Sequence, residues 1–253
     1  MENNSFDVII VGGGAAGMMA AISAKRHHPE MSVAILDRTF ALGRKILVCG
    51  AGRCNITNIN LDKSFADHYY GASHDFLKSI FEQFSYKNIV EFFNDLGIEL
   101  YVERKTDIGK LFPITDQAKT VTALLEDELE RLGIMVLLNT EVINVQKEND
   151  HFKIKAQLLN EQSKASSELS FESKYLILSA GGKTYPALGS NGSGYSLAQR
   201  LGHKLIEPVP SALPLVSKNQ LSHELQGQKF EVEVTSIIDG KDIKTRTDDV
   251  MFT

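Results

Sequence analysis

Apolar residues along this chain fall into blocks of different period. Asp7 to Val11 is a short, β-branched run, the pattern of a parallel strand buried on both faces. It breaks at Gly12-Gly13-Gly14, and Ala15 to Lys25 then has the composition of a helix. Ser32 to Leu36 repeats the strand pattern and ends on Asp37. From Phe65 to Gly97 apolar positions such as Leu77, Ile80, Phe81, Val90 and Phe93 recur at spacings of three and four. This predicts helix, packed as core, with Gly97 as C-cap. Ile98 to Val102 reads as a short strand. A helix is predicted from Ala118 to Gly133, capped by Thr115 or Asp116, with Glu126, Glu128 and Glu130 facing water.

Three strands are predicted next, Ile134–Leu138, Glu141–Lys147 and His151–Leu159. The last two are joined by the polar turn Glu148–Asp150. A polar segment leads to Phe171, and the strand Lys174–Ala180 closes on Gly181-Gly182. Pro208, Pro210 and Pro214 mark a boundary. Beyond them, Lys229–Ile238 and Ile243–Thr247 alternate around Asp239-Gly240, a hairpin signal. The expected fold class is α/β. A Rossmann-like dinucleotide-binding domain with a β-ribbon excursion, the architecture of two-domain flavoproteins of the two-dinucleotide-binding type, spans 1–207. The start of an inserted β-rich second domain spans 208–253. Its hairpin needs more strands to bury an apolar face, so this domain is expected to be cut short.

The strand–turn–helix context gives Gly12-x-Gly14-x-x-Gly17 a chemical meaning. Gly12 permits the tight turn, Gly14 lets a pyrophosphate approach the backbone, and Gly17 allows close helix–strand packing. The phosphates would meet the unpaired N–H groups and positive dipole end of the helix. Asp37, about 20 residues after Gly17, stands where a carboxylate bonds ribose hydroxyls. An acid there disfavours a 2′-phosphate, which leaves FAD or NAD at this site.

Composition narrows the picture further. The chain is 253 residues long, 43% hydrophobic and 23% charged, ordinary for a globular protein. A net charge of −5 offers no electrostatic case for nucleic acid or anionic membrane. The N-terminus lacks a basic signal region, and Val8–Ile22 is too short and glycine-rich to span a bilayer. With two cysteines and no secretion signal, a cytoplasmic protein with reduced thiols is expected. No metal is expected.

Arg38 to Asn60 combines Gly43, Gly50 and Gly52 with Arg44, Lys45 and Arg53. A glycine-rich cationic loop can neutralise a pyrophosphate or can be a flexible surface loop. Cys49 and Cys54 share the C-x₄-C spacing of flavin disulfide reductases. The intervening Gly-Ala-Gly-Arg favours two thiols lining a nucleotide loop over a redox couple. Gly189 to Gly194 resembles a second phosphate loop, but no apolar strand immediately precedes it, so no second Rossmann site is read there.

Five blocks carry a more specific resemblance: VGGGAAG at 11–17, LGRKILVCGAGRCNITN at 42–58, KLFPITDQAKTV at 110–121, LILSAGGKTYPALGSNGSGYSLAQRLGH at 176–203 and SALPL at 211–215. Together they resemble the BaiN/YhiN-like flavoproteins, also called the aminoacetone oxidase family of FAD-dependent oxidoreductases. The resemblance implies noncovalent FAD, with Gly12, Gly14, Ala15, Ala16 and Gly17 at the pyrophosphate and Asp37 and Arg38 at the adenosine ribose. Arg44, Lys45 and the loop of Gly50, Gly52, Arg53, Cys54 and Asn55 would run toward the flavin ring. Val142 would meet the adenine, and Ala180, Gly181 and Gly182 would pass close to the nucleotide. Members continue beyond a Phe-Thr pair like Phe252-Thr253 with a His-x-Gly-x-Ser-Gly-Pro block and a flavin-closing glycine segment. This chain alone is therefore expected to hold FAD more weakly than a longer one.

The leading expectation is an FAD-dependent oxidoreductase passing hydride between a small organic substrate and flavin. Amine oxidation and NAD(P)H-linked reduction both stay open, with NAD(P)H as a transient donor. The alternatives are a disulfide reductase using Cys49 and Cys54, or an FAD-binding fragment without catalysis. No catalytic base is nominated, since His68, His74, His203 and His223 lie on helix or loop stretches.

Overall fold

The computed structural model describes residues 4–61, 69, 73–103, 109–160, 162, 164–210 and 216–252. His68, Pro214 and the SALPL segment lie outside them, as does the expected start of the first helical stretch at Phe65. The chain divides into two compact units, Met1–Leu205 and Ile206–Thr253.

The first unit begins with β1 (Ser5–Val11), α1 (Ala15–His27) and β2 (Val33–Leu36), and the two strands pair in parallel. Alternate side chains of β1 enter two different cores. Val8 and Ile10 join Val33 and Ile35 beneath Met18, Ala21 and Ile22 of α1. Ile9 and Val11 join Ala34 and Leu36 on the opposite face, and Phe6 near the strand's start joins the same cluster out of that alternation. Both faces are covered, which is why the strand is apolar at nearly every position.

A small antiparallel sheet follows, with β5 (Lys110–Pro113) between β3 (Thr57–Asn58) and β4 (Leu100–Val102). The helical stretch before β4 is two helices, α2 (His74–Gln83) and α3 (Tyr86–Asp95). It breaks because Ser85 caps the second. The Ser85 hydroxyl accepts from the Asn88 N–H at 3.4 Å, and Asn88 Oδ1 accepts from the Ser85 N–H at 2.9 Å.

α4 (Ala118–Arg131) packs beside α1 and corrects two sequence expectations. Its N-cap is Gln117, with no side-chain cap bond; Asp116 instead accepts the Tyr101 hydroxyl at 2.6 Å. Glu128 does not face water. It is buried and paired with Arg131 Nε at 2.6 Å and with Arg26 Nη2 of α1 at 2.7 Å. Hydrogen bonding to Arg131, then to Arg26, holds its carboxyl below the usual range against the opposing pull of burial. Two guanidiniums are what make a buried carboxylate tolerable here.

β6 (Met135–Leu137), β7 (Thr140–Glu148), β8 (His151–Leu159) and β9 (Ala165–Leu178) complete a six-stranded sheet in the order β6-β2-β1-β9-β8-β7. The β6, β2, β1 and β9 strands run parallel, whereas β9, β8 and β7 form an antiparallel ribbon. The polar segment before Phe171 is part of β9. Pairing with β8 over its length imposes the strand where side-chain pattern does not. α5 (Ser193–Arg200) adds Leu197 to the second core.

The second unit holds a short helix α6 (Gln220–Glu224) and a hairpin of β10 (Lys229–Ile238) and β11 (Lys241–Met251). Asp239 and Gly240 both have positive φ, 50° and 74°, as a type I′ turn requires. Among the described residues no helix is long and apolar enough to cross a membrane.

Candidate cofactor cavity

A cavity of about 390 Å³ opens at the carboxyl ends of β1, β2 and β9. This is where ligands enter open α/β sheets. The glycines of the first turn divide the work. A Cβ on Gly12, whose φ is 103°, would lie 2.6 Å from the Ser179 carbonyl oxygen, so Gly12 seats the turn against β9. A Cβ on Gly17 would collide with the Gly12 carbonyl, so Gly17 seats α1 against the turn. Gly14 is different: a Cβ there would meet nothing within 4 Å. α1 starts without a side-chain cap and without an acid in its first turn. Its opening N–H groups, which no residue of the helix can accept, therefore suit an anion.

Charge follows the same plan. Arg44 and Lys45 line the cavity, and Lys45 has no ion-pair or hydrogen-bond partner among the described residues. Asp37 Oδ2 accepts the Gly13 N–H at 2.6 Å, and its Oδ1 accepts the Thr39 N–H and hydroxyl, each at 2.7 Å. Three donors fix the carboxylate and leave lone pairs for a ligand hydroxyl. Arg38 is paired with Glu141, Nε to Oε1 at 3.2 Å. Ser179 Oγ lies 2.8 Å from the Gly12 carbonyl oxygen and ties the end of β9 to the turn.

The family model of the HI0933-like protein Rossmann domain matches residues 6–247 of this chain. The chain belongs to that family. This is the BaiN/YhiN-like flavoprotein family that its motifs resemble. A 3-dehydro-bile acid delta(4,6)-reductase of Clostridium scindens is 33% identical over 96% of this chain and 56% of its own length. A ribosomal RNA dihydrouridine synthase of Escherichia coli is 30% identical over 98% of this chain and 57% of its own. The chain thus spans a little over half the length of these relatives. Two solved structures share the fold. A flavocytochrome c3 fumarate reductase has a TM-score of 0.55 at 17% identity, covering 78% of this chain and 40% of its own. Thermovibrio ammonificans THI4 scores 0.52 at 15% identity, covering 80% and 65%.

Of the cofactor-contacting residues expected from the sequence, eleven face the cavity: Gly12, Gly14, Ala15, Ala16, Asp37, Arg38, Arg44, Lys45, Val142, Ala180 and Gly181. Gly17 and Gly182 stand behind its wall, where Cβ atoms would meet the Gly12 carbonyl and the Tyr195 hydroxyl. Gly50, Gly52, Arg53, Cys54 and Asn55 do not line it. Arg53 stacks 4.1 Å over the Phe112 ring and pairs with Glu103 at 2.9 Å. Cys54 is buried in the core beneath α1, whereas Cys49 lines the cavity. Both thiols are free. Burial, reinforced by the neighbouring Cys49, pushes the Cys54 thiol up to about 12, the reverse of an activated cysteine. Thr39, Thr140, Glu141, Ser179 and Ser190 also line the cavity and were not singled out by sequence. All but Ser190 flank expected positions, and it is the tertiary fold that brings them to the cavity.

Proposed function

We propose that the protein is an FAD-dependent reductase of carbon–carbon double bonds conjugated to a carbonyl. The observation that carries FAD is the cavity itself: an uncapped helix start, an open Gly14, two cations and an oriented Asp37 at one sheet edge. Gly14, Ala15, Ala16, Arg44 and Lys45 would hold the pyrophosphate and Asp37 the adenosine ribose. Bound there, FAD supplies a two-electron hydride donor or acceptor. The residues of this chain bind and orient it: the Gly13 N–H and Thr39 keep Asp37 aimed, and Arg44 and Lys45 neutralise the phosphates.

The relatives' names support reduction over amine oxidation. A delta(4,6)-reductase of a 3-dehydro bile acid and a dihydrouridine synthase both name addition of hydrogen across a double bond next to a carbonyl. Hydride would go to the β carbon and a proton to the α carbon, with a nicotinamide nucleotide restoring the electrons. A net charge of −5 favours a small substrate over RNA. The test has two stages. Heat-released nucleotide is identified first, and NAD without flavin would remove the FAD reading. The flavin is then reduced anaerobically with NADPH or NADH and offered a 4-en-3-one steroid, uridine or a primary amine. Reoxidation by the enone is the expected result; turnover confined to amine and oxygen would overturn the reductase reading.

A further inference from the structure

Between the end of β9 and the start of α5 the chain makes an excursion over the cofactor cavity. Its two ends are tied together, the Gly192 N–H donating to the Gly182 carbonyl at 3.0 Å. Its middle reaches the loop after β2, on the far side of β1: a Cβ on Gly189 would lie 2.6 Å from Thr39 Cγ2. Residues 183–187 are exposed, whereas Leu188, Gly189 and Ser190 line the cavity. The excursion is a strap with its outer half in water and its inner half over the site.

The bonds that fasten the strap come from the site. Arg44 Nη2 donates to the Ala187 carbonyl at 3.1 Å, and Arg38 Nη1 to the Gly189 carbonyl at 3.4 Å. Both arginines line the cavity. A guanidinium carries five N–H donors in a fixed fork, so Arg44 can hold a phosphate oxygen and the Ala187 carbonyl together. An anion that fixes Arg44 thereby fixes the strap.

The closed strap is also incomplete by itself. Ser190 is only 3% exposed, yet neither its N–H nor its hydroxyl has a partner among the described residues. Ser190 Oγ lies 3.1 Å, and Lys45 Nζ 3.3 Å, from the point where a Gly181 Cβ would stand, so hydroxyl and cation converge on one spot of the cavity wall. Burying donors without an acceptor is unfavourable. Tyr185 adds strain: its φ of 56° is a left-handed conformation that bulky residues avoid. Closure therefore opposes itself unless a ligand oxygen meets Ser190.

We propose that residues 183–191 form a lid whose closure is driven by the cofactor. The lid shuts when a phosphate oxygen satisfies Ser190 and anchors Arg44, and it opens to admit or release the dinucleotide. This rests on the reading above in one respect, that a diphosphate occupies the cavity.

Amide hydrogen exchange, read by mass spectrometry on protein stripped of FAD and on the same protein with FAD restored, tests this without turnover. FAD uptake is assayed first. If none is taken up, the earlier reading fails, and ADP, which carries the same diphosphate on adenosine, becomes the probe for the lid. The expected result is exchange across 184–188 slowed about tenfold or more by the ligand, although Thr184, Tyr185 and Ala187 do not line the cavity. Tryptic cleavage after the exposed Lys183 should slow with it. Ser190→Ala removes an unmet donor, so it should shrink the difference between empty and filled protein by about threefold or more. The proposal is overturned if exchange across 184–188 or cleavage at Lys183 is the same in both states. It is equally overturned if the β10–β11 hairpin slows by the same factor, or if Ser190→Ala leaves the difference at its wild-type size.

Discussion

The turn at Gly12–Gly17 and the loop at Gly50–Asn55 are both glycine-rich, and both carry a strong motif. They use glycine for opposite purposes. In the turn, Gly14 leaves space that no protein atom fills. In the loop, a Cβ on Gly50 would lie 2.8 Å from the Asn55 nitrogen and 3.0 Å from the Phe112 ring, so the missing side chain makes room for the protein itself. The turn presents free N–H groups to a cavity that Arg44 and Lys45 also line. The loop turns its cation onto Phe112 and its Cys54 thiol into the core. A glycine motif therefore states that something comes close, without stating whether it is ligand or chain.

The sharpest way to break this contrast is within the turn. Gly17→Ala drives a methyl into the Gly12 carbonyl and should destabilise the fold by roughly 1–3 kcal/mol or more, with FAD lost as well. Gly14→Ala meets no protein atom, so thermal unfolding without FAD should hardly change, while FAD affinity falls about tenfold or more. If Gly14→Ala binds FAD like wild type, the open space beside Gly14 does not belong to the cofactor.

Asp37→Ala comes next. It removes the acceptor of three protein donors and the expected ribose contact, a charge-assisted interaction worth about 1.5–3 kcal/mol. FAD affinity should drop by roughly one to two decades, measured by equilibrium dialysis. Unchanged affinity would make Asp37 a brace for the turn and nothing more.

Arg53→Ala probes the loop. It loses the Phe112 stack and the Glu103 pair, a stability loss of about 1 kcal/mol, with FAD affinity within roughly a factor of two. Loss of FAD without loss of stability would show that the loop reaches the cofactor after all.

The smallest effect concerns Cys54. Its folded thiol titrates near 12 against an ordinary value of 9.0. A raised folded value stabilises the fold fully below the unfolded value and is lost as pH rises from about 9 toward 12. Wild type should therefore lose more stability than Cys54→Ala between about pH 8 and 10 in denaturant titrations. In the native protein, Cys49 should alkylate well before Cys54. Equal rates would mean that the thiol of Cys54 is not buried.

Much of this was legible along the chain because its signals are local. The apolar period and the glycine break located β1, α1 and β2, and Asp239-Gly240 located the hairpin turn. The acid after β2, Asp37, was picked out before any fold was known, and it lines the cavity. What was misread has a common cause. Glu128 looks like the water-facing side of an amphipathic helix until Arg26, 102 residues away in sequence, comes to meet it. The segment before Phe171 looks like a linker until β8 lies alongside.

By itself, the sequence determined the family and the βαβ start, since propensity and period are properties of short stretches. Only the tertiary structure decided which residues share the cavity. Thr39, Thr140, Glu141 and Ser179 come together from three strand ends, and of two neighbouring thiols in one loop Cys49 reaches the cavity while Cys54 does not. Inward or outward orientation depends on pairing and packing between distant segments. A linear pattern carries no distance between them, so it could name the cofactor wall only where a motif happened to cross it.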